Sequence, residues 1–227
     1  MSRHIGTAGW SLPKQHRKRF GAGDSNLARY ATRLNAAEIN SSFYRPHKPS
    51  TYKRWAESVP ADFRFSVKLP KTVTHEKRLE GIEVLLDTFL GECAVLGRKL
   101  GPLLVQLPPS LQFDPRNRFF ETLRARFGGA VVCEPRHATW FTPEAEAAFR
   151  AGRISRVAAD PAPVPAAAEP FGRLVYYRWH GSPRKYYSDY DDAALRALKK
   201  RLPKDAWVIF DNTTLGHATG NALALTR

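Results

Sequence analysis

The chain has 227 residues, 43% of them hydrophobic and 25% charged, and 36 Lys plus Arg against 21 Asp plus Glu leave a net charge of +15. That is an ordinary globular mix with enough length for one large core, and no apolar run approaches the roughly 18 residues of a membrane span. The first residues, Met1-Ser2-Arg3-His4-Ile5-Gly6, run straight into a strand pattern with no signal peptide, and two cysteines exclude a disulfide framework, so a cytoplasmic protein away from membranes is expected, with Cys93 and Cys133 as buried filler.

Strand patterns start near Ile5, Ala37, Phe63, Leu103, Val131, Ile154, Leu174 and Trp207, with expected spans 4–9, 36–40, 62–68, 102–107, 130–134, 154–159, 173–180 and 206–211. Helical patterns lie between most of them. One runs from Asp24, its N-cap candidate, to Leu34. A second, Gly81 to Leu96, places Ile82, Leu85, Leu86, Phe89 and Cys93 at helical spacing. Asp114 caps a third, with Pro115 in its first turn and Phe119, Phe120, Leu123 and Phe127 as its apolar positions. Thr142-Pro143-Glu144 starts the next, and Asp191 to Leu202 and Leu215 to Leu225 complete the set. Alternation of strand and helix predicts a parallel sheet with helical crossovers.

The alternation has one gap, Asp160 to Pro170, where repeated prolines forbid a regular helix and favour extended chain. Too little sequence follows for a second α/β domain, so a loop in place of the sixth crossover helix is the expectation. The fold class is then α/β: a single TIM-like (β/α) barrel over residues 1–227.

Seven apolar stretches end on polar residues: Glu38-Ile39-Asn40, Ser66-Val67-Lys68, Leu104-Val105-Gln106, Val132-Cys133-Glu134, Ala158-Ala159-Asp160, Arg178-Trp179-His180 and Phe210-Asp211-Asn212. Side chains alternate along a strand, so the outer members of each triplet share a face; in the last, either Asp211 or Asn212 can take the inward place. Polar groups at the carboxyl ends of strands are how a barrel builds a site in its mouth. The connections that follow the strands carry Lys14, Arg17, Lys18, Arg19, Arg45, Lys48, Lys71, Lys77, Arg78, Arg184 and Lys185, while Lys99 and Lys199-Lys200-Arg201 fall at the opposite end. A basic mouth attracts anions, whether phosphorylated metabolites or nucleic acid.

Further segments combine with these into a recognisable series: Gly6-Thr-Ala-Gly-Trp10, Glu38-Ile-Asn-Ser-Ser-Phe-Tyr44, Phe63-Arg-Phe-Ser-Val-Lys68, Thr74-His75, Gly101-Pro-Leu-Leu-Val-Gln-Leu-Pro-Pro109, Glu134-Pro-Arg-His137 with Trp140, Arg178-Trp-His-Gly181 and Asp211-Asn212-Thr213. In order and over nearly the whole chain they resemble the YecE-like barrel family, a domain of unknown function. The resemblance implies a TIM-like barrel and no established activity. Ala8 stands where the family usually has Ser, Pro135 where Phe is common and Trp179 where Leu is common. None of these departures removes an ionisable group.

Glu134 and Glu38, with Lys68 on an intervening strand, suit a proton-transfer set for chemistry of hydrolase or lyase type; an internal ion-pair network is the other reading of the same residues. His180 shares its strand face with Arg178 and can act as a general acid or base or as a hydrogen-bonded wall. Arg178 is expected on the anion, and Asn40, Gln106, Trp10, Tyr44, His75, Arg136, Asp211 and Asn212 around the ligand. Glu38, Glu134, Asp160, Asp211 and His180 are metal-ligand types, but no His-x-His or His-Glu-x-x-His spacing occurs, so neither a metal nor another cofactor is expected. Walker, Rossmann and Gly-x-Ser-x-Gly motifs are absent. Trp10, Phe43, Tyr44, Trp140, Tyr186 and Tyr187 interleave with basic residues, a pattern that suits stacked bases as well as ordinary packing. The leading expectation is a pocket for a small anionic, phosphate-bearing ligand, and the alternative is a nucleic-acid-binding or nucleic-acid-processing protein that uses the whole rim. No oligomeric state is specified.

Overall fold

Closure of the sheet depends on one broken strand. The computed structural model describes residues 3–226. Strands β1 (His4–Ala8), β2 (Ala36–Ile39), β3 (Arg64–Lys68), β4 (Leu100–Gln106), β5 (Val131–Glu134), β6 (Ser155–Arg156), β7 (Ala158–Asp160), β8 (Tyr176–Trp179) and β9 (Trp207–Phe210) run parallel in the order β6-β5-β4-β3-β2-β1-β9-β8-β7. β6 and β7 are the halves of the expected sixth strand, divided at Val157. The first half pairs with β5 and the second with β8, so continuous chain joins the two ends of a nearly closed α/β barrel. The expected spans agree with the observed strands to within a few residues elsewhere.

The crossover helices are α1 (Asn26–Tyr30), α2 (Pro49–Glu57), α3 (Glu83–Cys93), α4 (Phe119–Arg126), α5 (Pro143–Ala151), α6 (Asp192–Arg201) and α7 (His217–Leu225). Thr142 and Asp191 cap α5 and α6 as expected, accepting from the amides of Ala145 and Ala194. Two caps differ from expectation. Ser25, not Asp24, accepts from the Ala28 amide at α1. Asp114 turns back on Arg116, taking hydrogen bonds from its backbone and guanidinium, so α4 starts only at Phe119. α2 is absent from the sequence patterns above because Tyr52 is its only buried residue. The proline-rich gap forms one 3-10 turn, Pro165–Ala168, where the sixth helix would stand. No helix among the described residues is long and apolar enough to cross a membrane.

Two apolar layers follow from strand alternation. The larger lies between strands and helices and includes Ile39, Phe65, Val67, Val105, Cys133, Val208 and Phe210. The smaller fills the lumen with Ala36, Leu104, Val132, Val157, Tyr176, Trp207 and Ile209. Trp207, stacked on Tyr176 at 5.8 Å and on His4 at 4.6 Å, closes the amino end.

Between β1 and β2 the Tyr30 hydroxyl replaces a ladder bond, accepting from the Thr7 amide and donating to the Ala36 carbonyl, both at 2.9 Å. Gly6 leaves the space for this, since a Cβ there would lie 1.9 Å from the Ala36 oxygen and 3.0 Å from the Tyr30 hydroxyl. Backbone oxygen cannot move aside as a side chain can. Gly6→Ala should therefore destabilise the protein by roughly 3 kcal/mol or more, at or beyond the upper end of ordinary overpacking. Urea unfolding at neutral pH measures this, and a loss under about 1 kcal/mol would mean that β1 and β2 separate without strain.

Candidate functional site

The lumen's apolar layer sets the phase of the polar layer above it. Two residues beyond Ala36, Val132, Tyr176 and Ile209 stand Glu38, Glu134, Arg178 and Asp211, and two beyond Leu104 stands Gln106. This alternation decides the ambiguous β9 triplet: Asp211 turns inward and Asn212 outward. On the sixth strand Val157 and Ala159 occupy the lumen phase, so Asp160 leaves the site and accepts from the Tyr190 hydroxyl at 2.7 Å.

Arg178 lies at the centre and is 0% exposed. Its Nε donates to Glu38 Oε2 at 2.9 Å and its Nη2 to Glu38 Oε1 at 2.7 Å, a bidentate pair. Nη2 also reaches Asp211 Oδ2 at 3.2 Å, and Nη1 donates to Glu134 Oε2. His180 bridges two of the same carboxylates, Nδ1 2.9 Å from Asp211 Oδ2 and Nε2 3.0 Å from Glu134 Oε1. Arg136 adds Nε and Nη2 contacts to Glu134 Oε1 at 3.2 and 3.1 Å. Beneath the cluster the Tyr176 hydroxyl, 3.2 Å from Glu38 Oε2 and 2.9 Å from Ser66 Oγ, donates to the carboxylate and accepts from the serine.

Burial alone would raise the Glu134 carboxyl pKa, but Arg178, then His180 and Arg136, hold it well below the usual range. Asp211 is likewise lowered against its burial, chiefly by Arg178. Arg178, expected against the anion, thus has its donors occupied by three carboxylates, and Glu134 stays ionised at neutral pH.

Above this cluster stand cations of another kind. The side chain of Lys68, a residue 4% exposed, makes no hydrogen bond or ion pair among the described residues, and its Nζ lies 3.9 Å from the centroid of the Phe43 ring. Burial, then Arg178, lowers its ammonium to about 8, despite the opposing pull of Glu38, Glu134 and Asp211. Lys185, half-buried in the loop after β8, is lowered to about 8 by burial and then Arg136, and it too has no ion pair among the described residues. His75 packs edge-on to Phe43 at 4.9 Å and pairs through Nδ1 with Thr74 Oγ1 at 2.8 Å. Its pKa is lowered by burial, then by Lys68 and Arg136.

The other expected residues divide. Gln106 is buried and makes no side-chain hydrogen bond among the described residues, and Asn40 leaves its Oδ1 buried without a partner. Tyr44 is 67% exposed and stands on the rim. Trp10 packs edge-on to Trp55 and Phe65, within the layer outside the barrel. Asn212 donates to Ser188 O and Asn221 Oδ1, both at 2.9 Å, and so holds the loop after β8. His137 caps the turn Ala138–Phe141 through the Thr139 amide. Tyr176 is absent from the site expectations, though strand alternation from Arg178 points to it; Lys185 is expected only as one of the basic residues of the mouth connections. Among the described residues, no group of three or more His, Cys, Asp or Glu is arranged to hold a metal ion.

These features define a parallel α/β barrel with a buried ionic cluster at the carboxyl end of its strands. The chain belongs to the family described as "Protein of unknown function DUF72", whose model matches residues 4–227. The UPF0759 protein YecE of Escherichia coli K12 is 33% identical over 174 residues, 72% of this chain and 61% of that protein, so the matched chain spans less than two thirds of that relative. The UPF0759 protein YunF of Bacillus subtilis is 25% identical over 96% of this chain and 91% of its own length. Among solved structures, a DUF72 family protein of Thermotoga maritima superposes with a TM-score of 0.84 at 24% identity, covering 100% of this chain and 98% of that one. One of Enterococcus faecalis gives 0.83 at 23%, covering 100% and 94%. At these identities the structures establish the shared fold.

Lys68 has a stability consequence. Its folded pKa lies below its unfolded one, so between about 8 and 10.5 the unfolded chain binds more protons and stability rises with pH; below about 8 the folded state carries the buried charge at a cost. Lys68→Met should therefore stabilise the protein near pH 7 by roughly 1–3 kcal/mol, with the gain shrinking toward pH 10.5. Denaturant unfolding across that range tests the sign, and destabilisation by Met at neutral pH would contradict it.

Proposed function

We propose that the barrel mouth binds a small anionic, phosphate-bearing ligand and serves acid/base chemistry on it. One observation carries this reading: the three carboxylates of the cluster are in contact with Arg178, Arg136 and His180, while Lys68 and Lys185 have no anionic partner among the described residues. A ligand anion is the counter-charge such a site lacks. Lys68 and Lys185 meet the anion, with Arg136, Gln106, Asn40 and His75 around it. Arg178 acts behind them by fixing Glu38, Glu134 and Asp211. Lys68, its ammonium lowered to about 8, is the proton-transfer group, in the field of the Glu38, Glu134 and Asp211 carboxylates.

Inorganic phosphate and sulfate are the probes, sulfate because its charge does not change in this range. Affinity should fall by at least about tenfold between about pH 7.5 and pH 9 as the two lysines lose charge, and Lys68→Met should lower it by about tenfold at pH 7.5. Calorimetric titration reads both. Sulfate binding that ignores Lys68→Met and Lys185→Met would place the anion elsewhere and end this reading.

A second reading, nucleic-acid binding, is favoured by the rim. Exposed Tyr44, Tyr186 and Tyr187 stand in the strand-to-helix connections with exposed Lys14, Lys18, Arg45, Lys48 and Arg184, and the Arg184 guanidinium lies 4.0 Å over the Tyr187 ring. Neutralising Lys14, Lys18, Lys48 and Arg184 should then flatten the slope of log affinity against log salt by about 0.7–0.9 per lost phosphate contact, alike for different oligonucleotide sequences. No oligonucleotide binding near ~50 mM salt would remove it, while phosphate binding in the mouth would persist.

A further inference from the structure

We propose that Lys68 is a covalent residue: its amine forms an imine with the carbonyl carbon of a small anionic aldehyde or ketone held in the barrel mouth. This rests on the anion-binding reading above and narrows its ligand to a class.

The geometry is that of a nucleophilic amine rather than a salt-bridge partner. Lys68 ends β3 on the side of the ionic cluster, is almost fully buried, and among the described residues has no acceptor to hold its protons. The carboxylates that would ordinarily pair with an ammonium are engaged by Arg178, Arg136 and His180. On another side Nζ meets only the Phe43 ring, at 3.9 Å. A lysine desolvated in this way beside another cation is activated, because burial favours its neutral form relative to a lysine in water. The lowering of its ammonium to about 8 agrees with that environment. Lys185 and Arg136 keep hold of the ligand's phosphate or carboxylate when Lys68, which meets the anion as an ammonium, engages the adjacent carbonyl as the neutral amine. Neither cysteine competes: burial pushes the Cys93 thiol up to about 12 and holds Cys133 well above its ordinary value.

The step balances without any redox partner. The lone pair of the neutral amine attacks the carbonyl carbon, a C–N bond forms, and the π pair moves to oxygen, which takes one of the two amine protons. The carbinolamine then loses its hydroxyl together with the remaining nitrogen proton as water, leaving the imine. The protons exchange with water at the barrel mouth, and the bound phosphate or carboxylate of the ligand balances the positive charge of the iminium form.

Borohydride, which reduces an imine to a stable secondary amine, makes the adduct visible. The full chain is incubated near pH 7.5 with glyceraldehyde 3-phosphate, pyruvate or neutral glyceraldehyde, reduced, and mapped by peptide mass spectrometry. The expected result is an adduct at Lys68 at least about tenfold above any exposed lysine, since a pKa near 8 leaves roughly two orders of magnitude more neutral amine than an ordinary lysine, and an adduct at Lys185 alone, whose ammonium is lowered alike, would overturn the assignment to Lys68. Inorganic phosphate should suppress it, and Lys68→Arg, which keeps the charge without the nucleophile, should lack it. Adducts spread over exposed lysines with none at Lys68, while calorimetry still shows phosphate binding, would overturn the imine and leave the anion site standing. Neither adduct nor phosphate binding would overturn both. Equal labelling by glyceraldehyde and its phosphate would overturn the anionic substrate class.

Discussion

The fully buried guanidinium of Arg178 is the constraint on which the rest of the barrel mouth depends. A charge at 0% exposure is tolerable only if its donors are met by fixed acceptors, and here Glu38, Glu134 and Asp211 come from three different strands to meet it. Those strands are therefore tied at their carboxyl ends by one side chain of a fourth. Such a network is weak evidence for net stability, since its desolvation offsets much of its attraction. It is stronger evidence for geometry, because removing any one member leaves an uncompensated buried charge.

Satisfying Arg178 also shapes the chemistry above it. Each carboxylate drawn to the guanidinium, to Arg136 or to His180 is one that Lys68 and Lys185 cannot use. The result is a layered charge arrangement: an internally compensated ionic floor over Tyr176, and two lysines on top with depressed ammonium pKa values. Substitutions in the floor and in the upper layer should differ in kind. The floor is coupled through shared hydrogen-bond partners, so its variants will be strongly non-additive, whereas the lysines feel it only through its charge.

Strand alternation made most of this legible in the sequence. Glu38, Lys68, Gln106, Glu134, Arg178 and His180 lie at the carboxyl end of the strands because each ends an apolar run in the lumen phase. The two places where the triplet pattern was out of phase have a physical cause. The sixth strand breaks at Val157 to change pairing partner, which moves Asp160 off the face. On β9 the lumen residue is Ile209, so its polar successor is Asp211 and not Asn212. Trp10 follows a strand as Tyr44 does, yet Trp55 of α2 offers it an aromatic surface outside the barrel. No local signal reports a partner so distant in sequence, and α2 itself gave little pattern to read.

The out-of-phase polar residues have their own use, in fixing the loop that carries Lys185 and Tyr186. Asp160 and the Gly181 amide both meet the Tyr190 hydroxyl, while Asn212 reaches Ser188 O and Asn221. Gly181 permits the tight return at φ +97, where a Cβ would lie 2.9 Å from Ser188 O. Tyr186, itself at φ +69, donates its amide to His180 O and sets its ring edge-on to the His180 ring at 5.9 Å. A loop held at so many points presents its lysine from a fixed position rather than sampling the solvent, and fixed position is what a strand-end site needs from a residue that no strand supplies. The inward polar residues thus build the ionic floor, and their outward neighbours place the loop that covers it.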